Sequence, residues 1–374
     1  GSIDRIGSTG EFEVSMEDGE VLREQVQCSD HGEAAELLLA WLETSSLPDP
    51  WDLDVVGHRI VHGGDRFTKP VIIDDEVLTA IESISDLAPL HNEASISAIR
   101  AARTFLGDAV PMVAVFDTAF HSGLPRMASD YALPLDLSKE LGIRRYGFHG
   151  LAHQYMTERY AGMVSKAVGD SKFITLQLGN GCSAAAVAGG RSLDTSMGLT
   201  PLEGLMMGTR SGDVDPSLAI FLRRHKRMDD DAVEALLNRS SGLLGVSGRS
   251  RDMRELLEAE KRGDERASLA IEMFCYRVRK CIGSYLAVLG GADALVFGGG
   301  IGENAPEIRA RICSGMDWCG LRMDEERNNE TSGREGKISD EGSRLAAYVI
   351  CVDESFLIAR EAMRIVRDRR RIHF

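Results

Sequence analysis

Glycine-bearing segments at the ends of apolar, β-rich runs restrict the fold of this chain more than any other sequence feature. Four such segments occur, at 62–64, 179–183, 208–213 and 298–304. Glycine adopts positive φ angles without strain and lets backbone N–H groups approach a phosphate closely. Each segment alone is also compatible with an ordinary tight turn. Because the chain has neither a Walker A loop nor a Gly-x-Gly-x-x-Gly motif, the four together favour a nucleotide site built from several loops.

The apolar runs predict a sheet that is covered by helices. The run Met112–Phe116 is continuously apolar, which is typical of a strand buried on both faces. Further strands are predicted at 54–60, 173–178, 183–188, 191–194, 294–297 and 348–352, and short alternating strands in 1–26. Helices are predicted at 33–45, 93–106, 229–238 and 265–289, and two more begin at about 306 and about 355. A chain of 374 residues is long enough for two domains. We therefore expect an α/β protein with two sheet-centred units.

Composition excludes several classes of function. The net charge of −15, from 43 basic and 58 acidic residues, argues against nucleic acid and anionic membranes as partners. The seven cysteines are scattered without a Cys-x-x-Cys, which favours neither a disulfide framework nor a zinc ribbon and predicts a cytoplasmic protein. We expect no membrane span, because no apolar run approaches about 18 residues. No signal peptide is visible, and an N-terminal glycine suggests a processed, tagged or truncated start.

Two arginines and two carboxylates stand out by their positions. Arg59 and Arg210 lie among glycine and apolar residues, whereas most arginines are solvated at the surface. A guanidinium group binds carboxylate or phosphate with two parallel hydrogen bonds. Asp117 ends the most apolar predicted strand and Glu354 follows the last one, so the pair are candidates for Mg²⁺ binding. Helix capping or solvation is the alternative for both carboxylates.

Histidines are concentrated in the first half of the chain. Six of the nine lie between positions 58 and 153, at 58, 62, 91, 121, 149 and 153. The pairs 58/62 and 149/153 have the spacing of a helical zinc site, so a metal-dependent hydrolase is one alternative. However, 57–62 has the pattern of a strand, on which residues four apart lie too far apart for one ion. Donation to a phosphate is the competing interpretation, and a structural role is the alternative for His62, His121 and His153.

The motifs resemble those of the acetate kinases, within the acetate and sugar kinase/Hsp70/actin superfamily, over nearly the whole chain. The resemblance is carried by 57–64 (GHRIVHGG), 88–92 (APLHN), 115–121 (VFDTAFH), 144–150 (RRYGFHG), 194–216 (DTSMGLTPLEGLMMGTRSGDVDP), 242–247 (GLLGVS), 300–304 (GIGEN) and Glu354. It implies a two-domain actin-like ATPase fold, related to ribonuclease H, with the active site in the interdomain cleft. The implied domains are 1–118 plus 355–374, and a nucleotide-binding domain at 119–354.

The resemblance also implies a role for each matching residue. The implied catalytic residues are Asp117, His149, Arg210 and Arg59. The implied substrate-binding residues are Arg59, Val61, Leu90, His91, Phe148 and Pro201. The implied nucleotide-binding residues are Gly179, Asn180, Gly181, Asp252, Met253, Arg254, Gly300, Ile301, Gly302 and Asn304, and Glu354 is the implied metal ligand.

The activity implied by the resemblance is a reversible transfer of the γ-phosphate of ATP to acetate, which gives acetyl phosphate and ADP. Direct in-line transfer, Mg²⁺ or Mn²⁺ as cofactor and a homodimeric enzyme are implied with it. Val61 in the pocket for the acetate methyl favours acetate, because propionate-preferring relatives tend to have a smaller residue there. Since one methylene discriminates by only about 1–3 kcal/mol, propionate is expected to be a poorer substrate.

Two departures from the family pattern keep alternatives open. The family usually begins with an apolar strand and Asn-x-Gly-Ser-Ser-Ser, whereas 1–7 resembles the segment that follows, so we expect an incomplete first domain. Gln177 replaces a usual histidine, and an amide cannot carry charge. The alternatives are a propionate kinase, a catalytically impaired nucleotide-binding relative, and an enzyme that uses another phosphoryl donor such as pyrophosphate.

Overall fold

The computed structural model describes residues 1–4, 6, 8–15, 21–44, 53–85, 89–165 and 167–372. The chain divides into two compact units, Gly1–Ala119 with Ser355–Phe374, and Phe120–Glu354. Both units contain sheets and helices, so the prediction of an α/β protein is confirmed. No helix within the described ranges is long and apolar enough to cross a membrane.

Twelve strands and fifteen α-helices are found in the described residues. The strands are β1 (Ser2–Asp4), β2 (Ser8–Ser15), β3 (Val21–Cys28), β4 (Val56–Ile60), β5 (Val71–Ile72), β6 (Met112–Phe116), β7 (Lys172–Leu178), β8 (Cys182–Ala188), β9 (Arg191–Thr195), β10 (Ala294–Gly298), β11 (Gly336–Lys337) and β12 (Ala346–Val349). The helices are α1 (His31–Thr44), α2 (Asp75–Ser83), α3 (Pro89–Leu106), α4 (Arg126–Ser129), α5 (Leu135–Glu140), α6 (Gly150–Met163), α7 (Ser217–Lys226), α8 (Asp230–Arg239), α9 (Gly242–Ser247), α10 (Met253–Lys261), α11 (Glu265–Leu289), α12 (Gly299–Asn304), α13 (Pro306–Cys313), α14 (Glu325–Glu330) and α15 (Glu354–Ile372).

The first unit is built on two three-stranded sheets. One has the order β1-β2-β3 and is antiparallel, and the other has the order β4-β6-β5 with β6 in the centre. Strand β6 is buried along its whole length, as its apolar sequence predicts. It runs parallel to β4, with Ile60 opposite Phe116, so the carboxyl ends of both strands meet at one edge. Phe67 stacks on Phe116 and closes the core at this edge.

The C-terminal helix returns to the first unit and packs on β4. A Cβ atom at Gly57 would lie 2.5 Å from Ile358 Cγ2 and 3.4 Å from Ala362 Cβ, both on α15. Glycine at this position therefore allows the helix to lie directly against the strand. This packing joins residues that are more than 300 positions apart in the sequence into one unit.

The second unit is built on one six-stranded sheet with the order β11-β12-β10-β7-β8-β9. Strand β7 pairs in parallel with β10 and antiparallel with β8. Helix α6 covers one face through Met156 and Tyr160, which pack against Phe173 and Val187. Residues on the opposite face of β7, such as Ile174, are also fully buried. A sheet buried on both faces explains the long apolar runs in this half of the sequence.

The last strand and the glycine segment at 298–304 differ from their predictions. Strand β12 covers Ala346–Val349 rather than 348–352, and Glu354 is the first residue of α15. The ladder between β10 and β12 ends where β10 ends, and the amide of Val352 donates to the Glu303 carboxylate instead of to a strand. The glycine-rich run is also not a loop before Pro306, because Gly299–Asn304 forms the short helix α12.

A half-buried histidine, His58, lies on β4 next to Arg59. No residue within the described ranges hydrogen-bonds the Nε2 atom of His58, which is buried. Burial lowers the pKa of His58 to about 4, and the nearby positive charge of Arg103 lowers it further. The folded first unit therefore holds this ring in its neutral form at neutral pH.

We predict that His58 makes the stability of the protein decrease as the solution becomes acidic. Below a pH of about 6.5 the unfolded chain binds a proton at this histidine, whereas the folded chain does not bind it until about 4. The contribution of the neutral ring to the free energy of unfolding is fully present above the pKa of His58 in the unfolded chain. Roughly 2 kcal/mol of it is lost between pH 7.5 and pH 5. His58→Gln should remove this part of the loss.

The measurement is the thermal unfolding midpoint at pH 7.5 and at pH 5, for the native protein and for two variants. His31→Gln is the matched control, since His31 is exposed at the start of α1. The control should show the same decrease between the two pH values as the native protein. An equal decrease in His58→Gln would contradict the assignment to His58.

Candidate active site

In the first unit, Arg59 and Asp117 form an ion pair at the edge where β4 and β6 end. Asp117 follows β6 directly, and its amide donates to the carbonyl of Ile60. Arg59 Nη2 lies 2.6 Å from Asp117 Oδ2, and Nε lies 3.1 Å from both carboxylate oxygens. The Asp117 side chain is only 1% exposed, whereas the Arg59 side chain is 40% exposed. The buried carboxylate thus fixes a guanidinium group that remains accessible from solvent.

The glycine turn after β4 is held by hydrogen bonds to its neighbours. Asn92 on α3 exchanges two bonds with the backbone of His62, at 3.1 and 3.2 Å. The amide of Gly63 donates to Thr118 Oγ1, and the amide of Gly64 donates to His62 Nδ1. His62 therefore has a structural role, which was the alternative for it. Val61 is half-buried at the start of this turn.

Two further predicted substrate residues lie at the start of α3. Leu90 and His91 are in the first turn of this helix, but their side chains lie outside the described part of the structure. Their role in substrate binding stays a prediction.

In the second unit, His149 occupies a strained position before α6. It has a positive φ of 55°, a left-handed conformation that is uncommon for residues other than glycine. Its Nδ1 atom lies 2.8 Å from Ser183 Oγ on β8. Gly147, with φ 75°, allows close packing, because a Cβ atom there would lie 2.8 Å from the ring of His121. His121 Nε2 in turn donates to the carbonyl of Phe148, so both neighbours fix the position of His149.

His149 and Arg210 converge at Gly181, in the turn between β7 and β8. A Cβ atom on Gly181 would lie 3.2 Å from His149 Nε2 and 3.9 Å from Arg210 Nη1. The missing side chain leaves space in front of both groups. An imidazole and a guanidinium group that point at the same space can bind an anion.

Arg210 itself is half-buried and has no carboxylate partner among the described residues. Its Nη1 atom donates to the carbonyl of Pro201 at 3.0 Å, so Pro201 lies directly beside it. Burial lowers the pKa of Arg210, and the nearby Cys182 opposes this effect slightly. A guanidinium group stays charged at neutral pH even so. A half-buried charge of this kind is usually balanced by an acidic ligand when no protein carboxylate does so.

A cavity of about 770 Å³ lies beside the glycine turn that follows β7. Eight of the predicted nucleotide-binding residues line it, namely Gly179, Asn180, Asp252, Met253, Arg254, Gly300, Ile301 and Asn304. Six lining residues were not identified from the sequence, namely Arg251, Leu257, Ala305, Pro306, Glu307 and Asn329. For Arg251 and Ala305 the available signal was adjacency to predicted residues, whereas no local pattern distinguishes Asn329.

Predicted residues that do not line the cavity shape its wall. The carbonyls of Gly302 and Glu303 accept hydrogen bonds from Nη1 of Arg309, a fully buried arginine. A Cβ atom at Gly299 would lie 2.7 Å from the carbonyl oxygen of Leu178, so the helix and the strand end meet in close contact. Gly302 therefore supports the cavity from behind rather than facing it.

Asp252 is held in place by its own helix. Its carboxylate caps α10 by accepting a hydrogen bond from the backbone amide of Arg254 at 2.8 Å. It also forms an ion pair with the guanidinium group of Arg254 at 2.6 Å. The hydrogen bond from Arg254 is the main cause of the lowered pKa of Asp252. The carboxylate is therefore ionised and oriented at one wall of the cavity.

No group of three or more His, Cys, Asp or Glu side chains that could hold a metal ion occurs within the described ranges. This part of the structure therefore gives no support to the zinc hydrolase alternative. Glu354, half-buried in the first turn of α15, is a single carboxylate. One carboxylate suits Mg²⁺, which usually keeps several waters and takes other ligands from substrate phosphates.

Gln177 lies near the end of β7, opposite Ser183 on β8 and Gly298 on β10. Its Oε1 atom is buried and has no hydrogen-bond partner among the described residues. An effect of this glutamine on phosphate binding stays a prediction.

Comparisons with known proteins identify the family of this chain. The model of the Acetokinase family matches residues 1–360. An acetate kinase of Solibacter usitatus is 50% identical, with 98% of this chain and 90% of the relative covered. The crystal structure of Porphyromonas gingivalis acetate kinase is 39% identical with a TM-score of 0.90, and covers 97% of this chain and 92% of its own. A propionate kinase from Francisella tularensis has the same coverage and TM-score at 38% identity.

The resemblance seen in the sequence motifs is thus confirmed over nearly the full length, and so is the fold that it implies. A family match that extends over both compact units leaves no room for an unrelated fold in either. The chain belongs to the acetokinase family, the kinases that transfer a phosphoryl group to a carboxylate.

Proposed function

We propose that this protein transfers the γ-phosphate of ATP reversibly to acetate, which gives acetyl phosphate and ADP. One observation carries the proposal. The half-buried Arg210 has no carboxylate partner among the described residues and points, with His149, at the space in front of Gly181. Gly181 directly follows Gly179 and Asn180, which line the 770 Å³ cavity. An anionic group bound at Gly181 would therefore be continuous with a ligand in the cavity.

The cavity is the proposed nucleotide site. Its volume lies in the range that encloses a cofactor-sized ligand. Apolar side chains such as Ile301 and Met253 suit a base, whereas Gly179, Asn180 and Gly300 offer backbone and amide groups to phosphates. The γ-phosphate would then lie on the Gly181 side, where the two cationic or hydrogen-donating side chains are. Pyrophosphate is the competing donor, but it would leave most of this volume unused.

The acceptor needs no general base. Acetate is already ionised at neutral pH, because a carboxyl group has a pKa of about 4. We infer that Asp117 acts by fixing Arg59, whose guanidinium group binds the acetate carboxylate or the transferring phosphoryl group. Arg210 and His149 stabilise the negative charge on the equatorial oxygens in a direct in-line transfer. No residue has to carry a covalent phosphoryl group.

A divalent cation completes the proposal. Glu354 would hold Mg²⁺ or Mn²⁺, and the ion would neutralise part of the charge on the phosphates. Val61 and Leu90 of the first unit, and Phe148 and Pro201 of the second, are each proposed to bind the acetate methyl group, as the family resemblance implies. Pro201 is held beside Arg210 through its carbonyl, and Phe148 is fully buried just before His149.

A homodimer in the cytoplasm is the proposed form of the enzyme. Apolar side chains of the second unit support a dimer, since Met127 is 94% exposed and Leu133, Leu135, Leu137 and Leu141 are exposed nearby in the sequence. Apolar surface of this extent often marks an interface between proteins. All seven cysteines are free thiols, as is usual in a reducing compartment.

The proposed activity is tested by trapping acetyl phosphate as its hydroxamate, with the purified protein. We expect product with ATP, Mg²⁺ and acetate, less product with propionate, and none when EDTA removes the metal. Pyrophosphate should not replace ATP. Absence of product with every donor would favour the catalytically impaired relative, and a preference for propionate would favour the propionate kinase.

We predict that Val61→Ala shifts the acyl preference of the enzyme. Removal of two methyl groups enlarges the proposed pocket by more than the one methylene that distinguishes propionate from acetate, so kcat/KM for propionate relative to acetate should rise roughly tenfold. The KM for ATP should not change. Val71→Ala, which removes the same atoms from the half-buried β5 of the same sheet, is the control and should leave the ratio unchanged. A similar rise in both variants would mean that general loosening of the sheet, not pocket size, sets the preference.

We also predict that Gly181→Ala inactivates the enzyme without unfolding it. The new methyl group would press on His149 Nε2 at 3.2 Å and occupy the space in front of Arg210. We expect kcat to fall by about two orders of magnitude, since small displacements of catalytic groups have effects of this size. Steady-state kinetics and the thermal unfolding midpoint measure the two effects separately.

Gly162→Ala is the control for this variant. A Cβ atom at Gly162, within α6, meets no atom within 4 Å. Alanine is a better helix former than glycine, so the control should keep full activity and gain slightly in stability. Normal activity of Gly181→Ala would show that no reacting group occupies the space in front of Gly181.

A further inference from the structure

A buried chain of hydroxyl and imidazole groups leads from His149 into the interior of the second unit. Ser183 Oγ lies 2.8 Å from His149 Nδ1 and 2.8 Å from His153 Nε2. His153 Nδ1 lies 2.7 Å from Thr175 Oγ1. Ser183, His153 and Thr175 are fully buried. We call these four residues the hydroxyl–imidazole chain.

The geometry of the hydroxyl–imidazole chain follows from the register of the sheet. Strands β7 and β8 are antiparallel, with Thr175 opposite Ala185 and Gln177 opposite Ser183. Side chains at alternate positions share a face, so the Thr175 and Ser183 hydroxyls both lie under α6. His153 lies in the first turn of α6, and His149 directly precedes the helix. The two rings therefore lie one helical turn apart on either side of the Ser183 hydroxyl.

Ser183 has one hydrogen to share between two ring nitrogens. It can donate to one nitrogen, and it must then accept a hydrogen bond from the other. Two arrangements satisfy both contacts. In the first, His153 donates from Nε2 to Ser183, and Ser183 donates to His149 Nδ1. In the second, His149 donates from Nδ1 to Ser183, and Ser183 donates to His153 Nε2.

The hydroxyl of Thr175 distinguishes the two arrangements. Among the described residues its hydrogen-bond partner is His153 Nδ1 alone. In the first arrangement this nitrogen has no hydrogen and accepts from Thr175, so the hydrogens of Thr175 Oγ1, His153 Nε2 and Ser183 Oγ all have acceptors. In the second arrangement His153 Nδ1 carries a hydrogen, and the buried Thr175 O–H then has no acceptor. A buried donor without a partner is costly, so the first arrangement is favoured.

We propose that the hydroxyl–imidazole chain fixes His149 as the neutral tautomer with its hydrogen on Nε2. Thr175, His153 and Ser183 are positioning residues, and the group they control is the one that faces Gly181 and Arg210. Burial, with smaller contributions from His121 and His149, holds the pKa of His153 well below its usual range. A neutral His153 is what the first arrangement requires.

The consequence for phosphoryl transfer rests on the proposed function. Phosphoryl oxygens only accept hydrogen bonds, so a donor at Nε2 attracts them, whereas a bare nitrogen there would repel them. Because the hydrogen is in place before the ligand binds, no reorganisation is needed as negative charge develops. His149 and His153 have the spacing for which the sequence suggested a zinc site. In the hydroxyl–imidazole chain His153 instead orients the ring of His149.

The tautomer can be read directly by NMR, in protein with ¹⁵N-labelled histidine and without any substrate. At pH 7.5 we expect the His149 ring to show a protonated Nε2 and an unprotonated Nδ1. Loss of one set of signals in His149→Asn assigns the resonances. A ring protonated at Nδ1, alone or together with Nε2, would overturn the proposal.

Thr175→Val tests the hydroxyl–imidazole chain at its far end. Valine keeps the shape and the strand preference of threonine but removes the hydroxyl that selects the arrangement. We expect His149 to show a mixture of tautomers and kcat to fall by about tenfold, with the KM values changing much less, as for other residues that orient a catalytic group. Thr175→Ser, which restores the hydroxyl, should restore both the single tautomer and kcat.

Thr195→Val is the matched control, because it removes another buried threonine hydroxyl from the same sheet, one that donates to the carbonyl of Ala184. An equal fall in kcat in the two variants, or no rescue by Thr175→Ser, would overturn the positioning role. The NMR measurement of the His149 tautomer does not depend on enzyme activity. A native enzyme that makes no acetyl phosphate therefore refutes the proposed function alone, whereas an active enzyme with the Nδ1 tautomer refutes this inference alone.

Discussion

The antiparallel register of β7 and β8 is the constraint on which the second unit depends. The tight turn between the strands places Gly179 and Asn180 at the cavity and Gly181 in front of His149 and Arg210. The same register places the Ser183 and Thr175 hydroxyls under α6. A shift by one residue would turn every one of these side chains to the other face of the sheet. One hairpin thus forms a wall of the proposed nucleotide site and also orients the histidine beside it.

The elements that were predictable from the sequence are those set by local pattern. The predicted and observed bounds of strand β6 are the same, because five successive apolar residues are typical of a strand that is buried on both faces. The turn at Gly179–Gly181 and the position of Asp117 after β6 follow from glycine and charge at the end of such runs. The residues proposed to be functional lie at these same ends, because close backbone approach and a strand edge are what the proposed chemistry requires.

What sequence reasoning missed depends on contacts between distant residues. Strand β12 ends at Val349 and the following backbone turns away, because the Val352 amide bonds to Glu303 almost fifty positions earlier. Asn329 reaches the cavity only because α14 packs against α13. The link between Thr175 and His149 likewise needs the sheet register and the placement of α6 together. A short stretch of sequence does not contain the information about such long-range contacts. The motifs are sufficient to identify the family of the chain, but they do not predict these contacts.

The two arginines differ in how their charge is balanced, and this difference suits an enzyme that must release its product. Arg59 is already paired with the buried Asp117, so it offers hydrogen-bond geometry with little net charge. His149, held in its neutral form, also donates without adding charge. Arg210, which has no carboxylate partner among the described residues, is then the group of the three that adds net positive charge, in a protein whose net charge is −15. If the proposed roles hold, binding of phosphates mainly through oriented donors would discriminate by geometry and would avoid holding the anionic product too tightly for turnover in either direction.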